Sequence, residues 1–135
     1  LLESRGLGDV YKRQILDLNL GICRMALASL DDSLPKNKKI KVATKYPVHA
    51  KNYFSNLSID IDIVILKGAI EIAPILGLSD CIVDLVQTGK TLDENGLKEL
   101  ELISNISSRM IVNKSSFKSN NKMIKDLLNN LKKEI

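Results

Sequence analysis

The chain has 135 residues, 44% of them hydrophobic and 27% charged, enough for one domain or two small lobes around a packed core. Aromatic residues make up only 4% and tryptophan is absent, which argues against an aromatic base-stacking platform for nucleic acid. The net charge of +4 belongs to the C-terminal tail: from Arg109 onward seven Lys or Arg face two acids, whereas the rest of the chain carries thirteen against fourteen.

A lysine-rich tail of this kind more often marks a solvated helix face than a nucleic-acid interface. No apolar run in this sequence is long enough to span a membrane and none of it reads as a basic-then-apolar leader, so a cytoplasmic location is expected. Cys23 and Cys81 fit no metal or redox spacing and read as reduced packing residues. His49, the single histidine, has no Cys or acid cluster near it in sequence, so no metal site is expected.

In chain order, residues 1–14 show neither helical nor strand periodicity and read as a foreign segment outside the fold. Residues 15–21 read as a turn. A strand is expected over 24–30 and another over 39–44, where Ile40 and Val42 alternate with polar residues. Pro47 suits the first turn of a helix reaching about Leu57. Lys45 and Tyr46 stand at its start, where an anion would meet them, although a solvent-facing lysine and a packed tyrosine fit equally well. Residues 61–66 form a further strand, and a short helix over 70–76 ends at Gly77, a plausible left-handed stop. The apolar run 81–86, broken only by Asp84, suits a buried parallel strand. Strands are also expected over 99–106 and 109–112, and one amphipathic helix over 113–135 with Phe117, Met123, Ile124, Leu127, Leu128 and Leu131 on one face. Strands alternating with helices from 39 to 86 predict an α/β fold with a mainly parallel sheet.

The chemistry concentrates after Asp84, in Gln87-Thr88-Gly89-Lys90-Thr91. Gly89 lets backbone approach a ligand, the threonines bring hydroxyls, Lys90 brings charge, and a helix starting near Leu92 points free N–H groups into the same turn. A Walker phosphate loop requires glycine five residues before Gly89, a place held by Asp84, so that reading fails. Two readings stand from the residues: an ordinary strand-to-helix turn, or a 5-phosphoribosyl site with Asp84 accepting from ribose hydroxyls and residues 88–91 enclosing the 5-phosphate.

Glu71, Gly77, Ser79, Ile82, Asp84, Leu85, Thr88, Gly89, Thr91 and Leu92 together resemble the signature of the ATP phosphoribosyltransferase family. Agreement extends to Leu18-Asn19-Leu20-Gly21-Ile22-Cys23-Arg24, Val42-Ala43-Thr44-Lys45-Tyr46-Pro47, Glu94-Asn95-Gly96-Leu97 and Ser108-Arg109-Met110-Ile111-Val112-Asn113. The resemblance covers about residues 15–120 and favours the phosphoribosyl reading.

The resemblance implies a two-lobe α/β fold like that of type II periplasmic binding proteins, with substrates in the cleft. Residues 15–23 would be a crossing segment, 24–103 the lobe that binds 5-phosphoribosyl 1-pyrophosphate, and 104–135 the returning strand and C-terminal helix of the first lobe. It implies transfer of the phosphoribosyl group to N1 of ATP, releasing pyrophosphate, as the first step of histidine biosynthesis. Magnesium would accompany the pyrophosphate, and a regulatory subunit related to histidyl-tRNA synthetase would be the partner. Substrate contacts would come from Glu71, Asp84, Thr88, Gly89, Lys90 and Thr91, with no catalytic side chain and no protein metal ligand required, because positioning and charge neutralisation carry such a transfer. Other phosphoribosyltransferases place two adjacent acids before the loop, but here the first of those positions is Val83. The resemblance implies a substantial N-terminal segment before residue 15, which is expected to be missing from this piece. This piece is therefore expected to be inactive alone, and a non-catalytic sugar-phosphate-binding lobe is the alternative.

Overall fold

The computed structural model describes residues 12–135. The described chain divides into two compact units, one formed by Cys23–Asn105 and the other by residues 12–22 with Ile106–Ile135.

The first of these is built on a five-stranded sheet in the order β4-β3-β5-β2-β6, from β2 (Cys23–Ser29), β3 (Ile40–Thr44), β4 (Ile61–Ile65), β5 (Cys81–Val86) and β6 (Lys98–Ile106). Strand β3 pairs in parallel with β4, Ile40 opposite Ile61, and with β5, Val42 opposite Cys81. β2 runs antiparallel to β5, placing Arg24 opposite Val86 and Ala26 opposite Asp84. The sheet is thus parallel at β4, β3 and β5, with β2 reversed. Successive side chains of a strand face opposite sides, so Ile82, Asp84 and Val86 share one face. There Ile82 and Val86 pack with Ala26, Ala28, Ala43, Ile70, Ala73, Leu92 and Leu97. The alanines leave room for close approach by two short helices, α2 (Ile72–Ile75) and α3 (Lys90–Glu94).

Helix α1 (Pro47–Asn56) starts with proline in its first turn, as expected, and buries Ala50 and Phe54. Asp80 ties the start of β5 to β3: one carboxylate oxygen accepts from the Lys41 N–H at 2.9 Å, and the other from Lys38 Nζ at 2.6 Å. Cys81 is buried beside it, and burial pushes its thiol up to about 12, so it is an inert packing residue. Cys23 is free and only half-buried.

The second unit pairs β1 (Lys12–Asp17) antiparallel with β7 (Arg109–Asn113), followed by α4 (Lys114–Ser119) and α5 (Asn121–Lys132). Two expectations change here. Residues 12–14, read as foreign, belong to β1, where Lys12, Arg13 and Gln14 stand opposite Asn113, Val112 and Ile111; residues 1–11 of that segment lie outside the described residues. Residues 15–17, read as a turn, continue the same strand. Its pairing comes from a partner almost a hundred residues away, which local periodicity does not report.

The single C-terminal helix is two. Asn113 is its cap rather than its first residue, its Oδ1 accepting from Ser115 N at 2.8 Å and Ser116 N at 3.4 Å. The helix then breaks at Asn120, within a Ser-Asn-Asn run whose side chains compete for backbone groups. On α5, Ile124 is buried, but Met123 and Leu127 of the expected apolar face are exposed. Among the described residues no helix is long and apolar enough to cross a membrane.

Candidate functional site

Parallel pairing of β3 and β5 brings their carboxyl ends to one edge of the sheet, where ligands of open α/β sheets bind. At the end of β3, the buried Thr44 hydroxyl donates to the Val83 carbonyl at 2.7 Å and accepts from the Tyr46 N–H at 2.9 Å. That fixes the turn carrying Lys45 beside the strand carrying Asp84. His49 lies part-buried on α1, its ring edge-on to Tyr46 with centroids 6.4 Å apart.

Beyond β5 the chain makes the Gln87-Thr88-Gly89 turn and enters α3 at Lys90, two residues earlier than the sequence pattern placed the helix. Gly89 is the residue before the helix and has φ +87°, a left-handed conformation that L side chains rarely adopt. The Lys90 N–H donates to Thr88 Oγ1 at 3.3 Å, closing the turn on itself.

Around this turn lies an open cavity of about 300 Å³. Its lining includes Glu71, Asp84, Thr88, Gly89, Lys90 and Thr91, so all six expected substrate-binding residues meet in one place although they come from three segments. Thr88, Lys90 and Thr91 are exposed, so their hydroxyls and ammonium are accessible to an anion. Lys90 Nζ lies 3.7 Å from Glu94 one helical turn on, an exposed pair too weak to hold it against a phosphate.

Asp84 is different in kind. It sits on the face of the sheet that packs against α2, opposite the small Ala26, and one of its oxygens accepts from the Leu85 N–H at 2.8 Å. Burial pushes its carboxyl above the usual range, with the Glu71 charge adding to the rise; the Leu85 N–H and Lys45 oppose it. A half-buried acid facing a polar cavity, kept from its ordinary solvation, is a poised hydrogen-bond acceptor for hydroxyl groups.

A larger cavity, about 570 Å³, lies at the opposite end of β3, lined largely by apolar side chains such as Leu27, Ile40, Phe54 and Leu100. Size favours that cavity. Chemistry favours the smaller one, since only there do an acid, two hydroxyls and a left-handed glycine converge. Among the described residues no three His, Cys, Asp or Glu side chains group as a metal site.

Sequence reasoning missed one residue of the turn's surroundings. Arg24, at the start of β2, donates through Nη1 to the Gln87 carbonyl at 3.2 Å, and through Nε and Nη2 to the two oxygens of Glu99 at 2.8 and 2.7 Å. Its partners lie 63 and 75 residues away, and no local motif reports such a contact.

A family profile described as ATP phosphoribosyltransferase matches residues 1–133. A relative of that name from Bacillus cereus (strain 03BB102) is 47% identical over 128 residues, covering 94% of this chain and 60% of the relative. The chain therefore spans about three-fifths of the length of the curated relatives it matches. The solved ATP phosphoribosyl transferase (HisG:HisZ) complex from Thermotoga maritima superposes with a TM-score of 0.80 at 34% identity, over 90% of this chain and 60% of that one. At the level of fold alone, the probable amino-acid transporter extracellular-binding protein ytmK from Bacillus subtilis matches with a TM-score of 0.58 at 13% identity, over 94% of this chain and 58% of that one.

Proposed function

Since this chain belongs to the ATP phosphoribosyltransferase family, we propose that it supplies the phosphoribosyl-binding lobe and the returning C-terminal segment of an enzyme that condenses ATP with 5-phosphoribosyl 1-pyrophosphate. The products are N1-(5-phosphoribosyl)-ATP and pyrophosphate, at the entry to histidine biosynthesis. The observation that carries the reading is the convergence of Glu71, Asp84 and the 88–91 turn on one cavity, with Gly89 left-handed at its centre.

In this reading Asp84 accepts from the ribose hydroxyls. Thr88, Gly89 and Thr91 enclose the 5-phosphate with hydroxyls and backbone N–H groups, and Lys90 adds charge. Glu71, beside Asp84, faces the sugar. As the adenine N1 lone pair forms a bond to the anomeric carbon, the bond from that carbon to pyrophosphate breaks and its electron pair leaves with pyrophosphate. Positive charge develops on the ribose ring, and the carboxylates of Glu71 and Asp84, which line the same cavity, would stabilise it. Magnesium enters as part of the substrate, bound to the pyrophosphate oxygens. The likeness to the Thermotoga complex supports a HisZ-like regulatory subunit, related to histidyl-tRNA synthetase, as partner. Two phosphorylated substrates are in keeping with the expected cytoplasmic location.

The test is release of pyrophosphate by the full-length protein with its regulatory subunit. Release that requires ATP and yields the N1-linked adduct supports transfer. Binding of 5-phosphoribosyl 1-pyrophosphate without turnover under any condition would instead make this a sugar-phosphate-binding protein.

A further inference from the structure

We propose that Arg24 is a positioning residue, which with Glu99 clamps the phosphate turn from the side away from the cavity and sets the peptide orientation that the 5-phosphate meets. This rests on the phosphoribosyl reading of the cavity for its ligand, though not for the clamp itself. Gln87, Thr88 and Gly89 line the cavity, and Arg24 does not. The guanidinium spends two donors on Glu99 of β6 and a third on the Gln87 carbonyl, so one planar group bridges the neighbouring strand to the turn. A planar trans peptide points its C=O and the following N–H in opposite directions. With the Gln87 carbonyl drawn to Arg24, the Thr88 N–H of the same peptide points away from the guanidinium. Gly89 lies next to the guanidinium, since a Cβ there would stand in ordinary contact at 3.6 Å from Arg24 Nη2; its φ of +87° is what favours glycine. The left-handed glycine thus rests against the clamp.

The pair is also matched in charge. Glu99 offsets the guanidinium, and its hydrogen bonds from Arg24 hold its carboxyl below the usual range despite some burial. Arg24 therefore anchors the turn without drawing the substrate phosphate onto itself. Lysine has no planar fork, and its donors all leave one nitrogen, so it cannot reproduce the bidentate hold on both Glu99 oxygens together with the Gln87 carbonyl.

The test uses the full-length protein with Arg24→Gln, Arg24→Lys and Glu99→Gln. Three readouts are compared: amide exchange over residues 87–91, thermal midpoint, and affinity for 5-phosphoribosyl 1-pyrophosphate against magnesium pyrophosphate, which lacks the 5-phosphate. Arg24→Gln is expected to speed exchange at Lys90, whose N–H closes the turn on Thr88 Oγ1, and weaken the phosphoribosyl ligand about 10- to 100-fold, as misplacement of a binding group does, while pyrophosphate affinity holds. Arg24→Lys does not rescue, and Glu99→Gln, which keeps a neutral acceptor, falls between. Unchanged exchange with an unchanged ratio of the two affinities overturns the clamp. So does a parallel loss of both affinities with a fallen midpoint, which marks a purely structural residue. If the unaltered protein binds no phosphoribosyl ligand but Arg24→Gln still frees the turn, the functional reading falls and the clamp stands.

Discussion

Asp84 and Asp80, four positions apart on one strand and its approach, carry opposite pH signatures. Asp84 has a raised carboxyl because burial and Glu71 disfavour its charge. A raised acid contributes stability below its unfolded value of about 4, and that contribution is lost as pH rises through the folded value. Wherever Asp84 is ionised, its charge is therefore a cost to the fold. Asp84→Asn should melt higher than the unaltered protein at pH 7, on the order of a degree or two, with the gap closing on acidification. It should at the same time lose sugar-phosphate binding. Stability gained where binding is lost is the mark of a residue kept for its ligand. Gly89→Val tests the turn: a β-branched residue forced to φ +87° costs about 1–2 kcal/mol or shifts the backbone, and either outcome should remove phosphate affinity. Denaturant unfolding and calorimetry measure the two effects.

Asp80 belongs to the scale of the element, because it sets where β5 begins against β3. Burial raises its carboxyl, but the Lys38 and Lys41 hydrogen bonds outweigh this and leave it lowered. Its stability is present above the unfolded value and lost as pH falls through the depressed folded one. Asp80→Asn should cost about 1 kcal/mol at pH 7, and the penalty should shrink in acid, opposite in sign to Asp84→Asn. Equilibrium unfolding at pH 7 and in acid checks it. The N-cap of α4 offers a further measure: Asn113→Ala should cost about 1 kcal/mol by leaving two N–H groups without their acceptor. These elements differ in how far sequence reports them. β3, α1 and β5 were legible because alternation, a first-turn proline and an apolar run are local signals. β1 was not, because its pairing with Arg109–Asn113 is long-range. The break at Asn120 was hidden by an apolar periodicity that runs through it. The six cavity residues were legible as a motif; Arg24 was not, because its role exists only once β2, β6 and the turn are folded together.

At the scale of the molecule, the unit formed by Cys23–Asn105 contains every residue of the candidate site, while the other unit is assembled from the two sequence segments that flank it. Its sheet holds Asp84 half-buried on one strand and the 88–91 turn at that strand's carboxyl end, so the proposed sugar-phosphate contacts all lie within one unit. The most direct measurement is the thermal stability of the full-length protein titrated with magnesium and 5-phosphoribosyl 1-pyrophosphate, alongside the Asp84→Asn variant. A saturable rise approaching about 2.7 kcal/mol at a hundredfold excess over the dissociation constant, abolished in Asp84→Asn, is the expected result. A rise of the same size in both proteins, or none in either, would contradict the site.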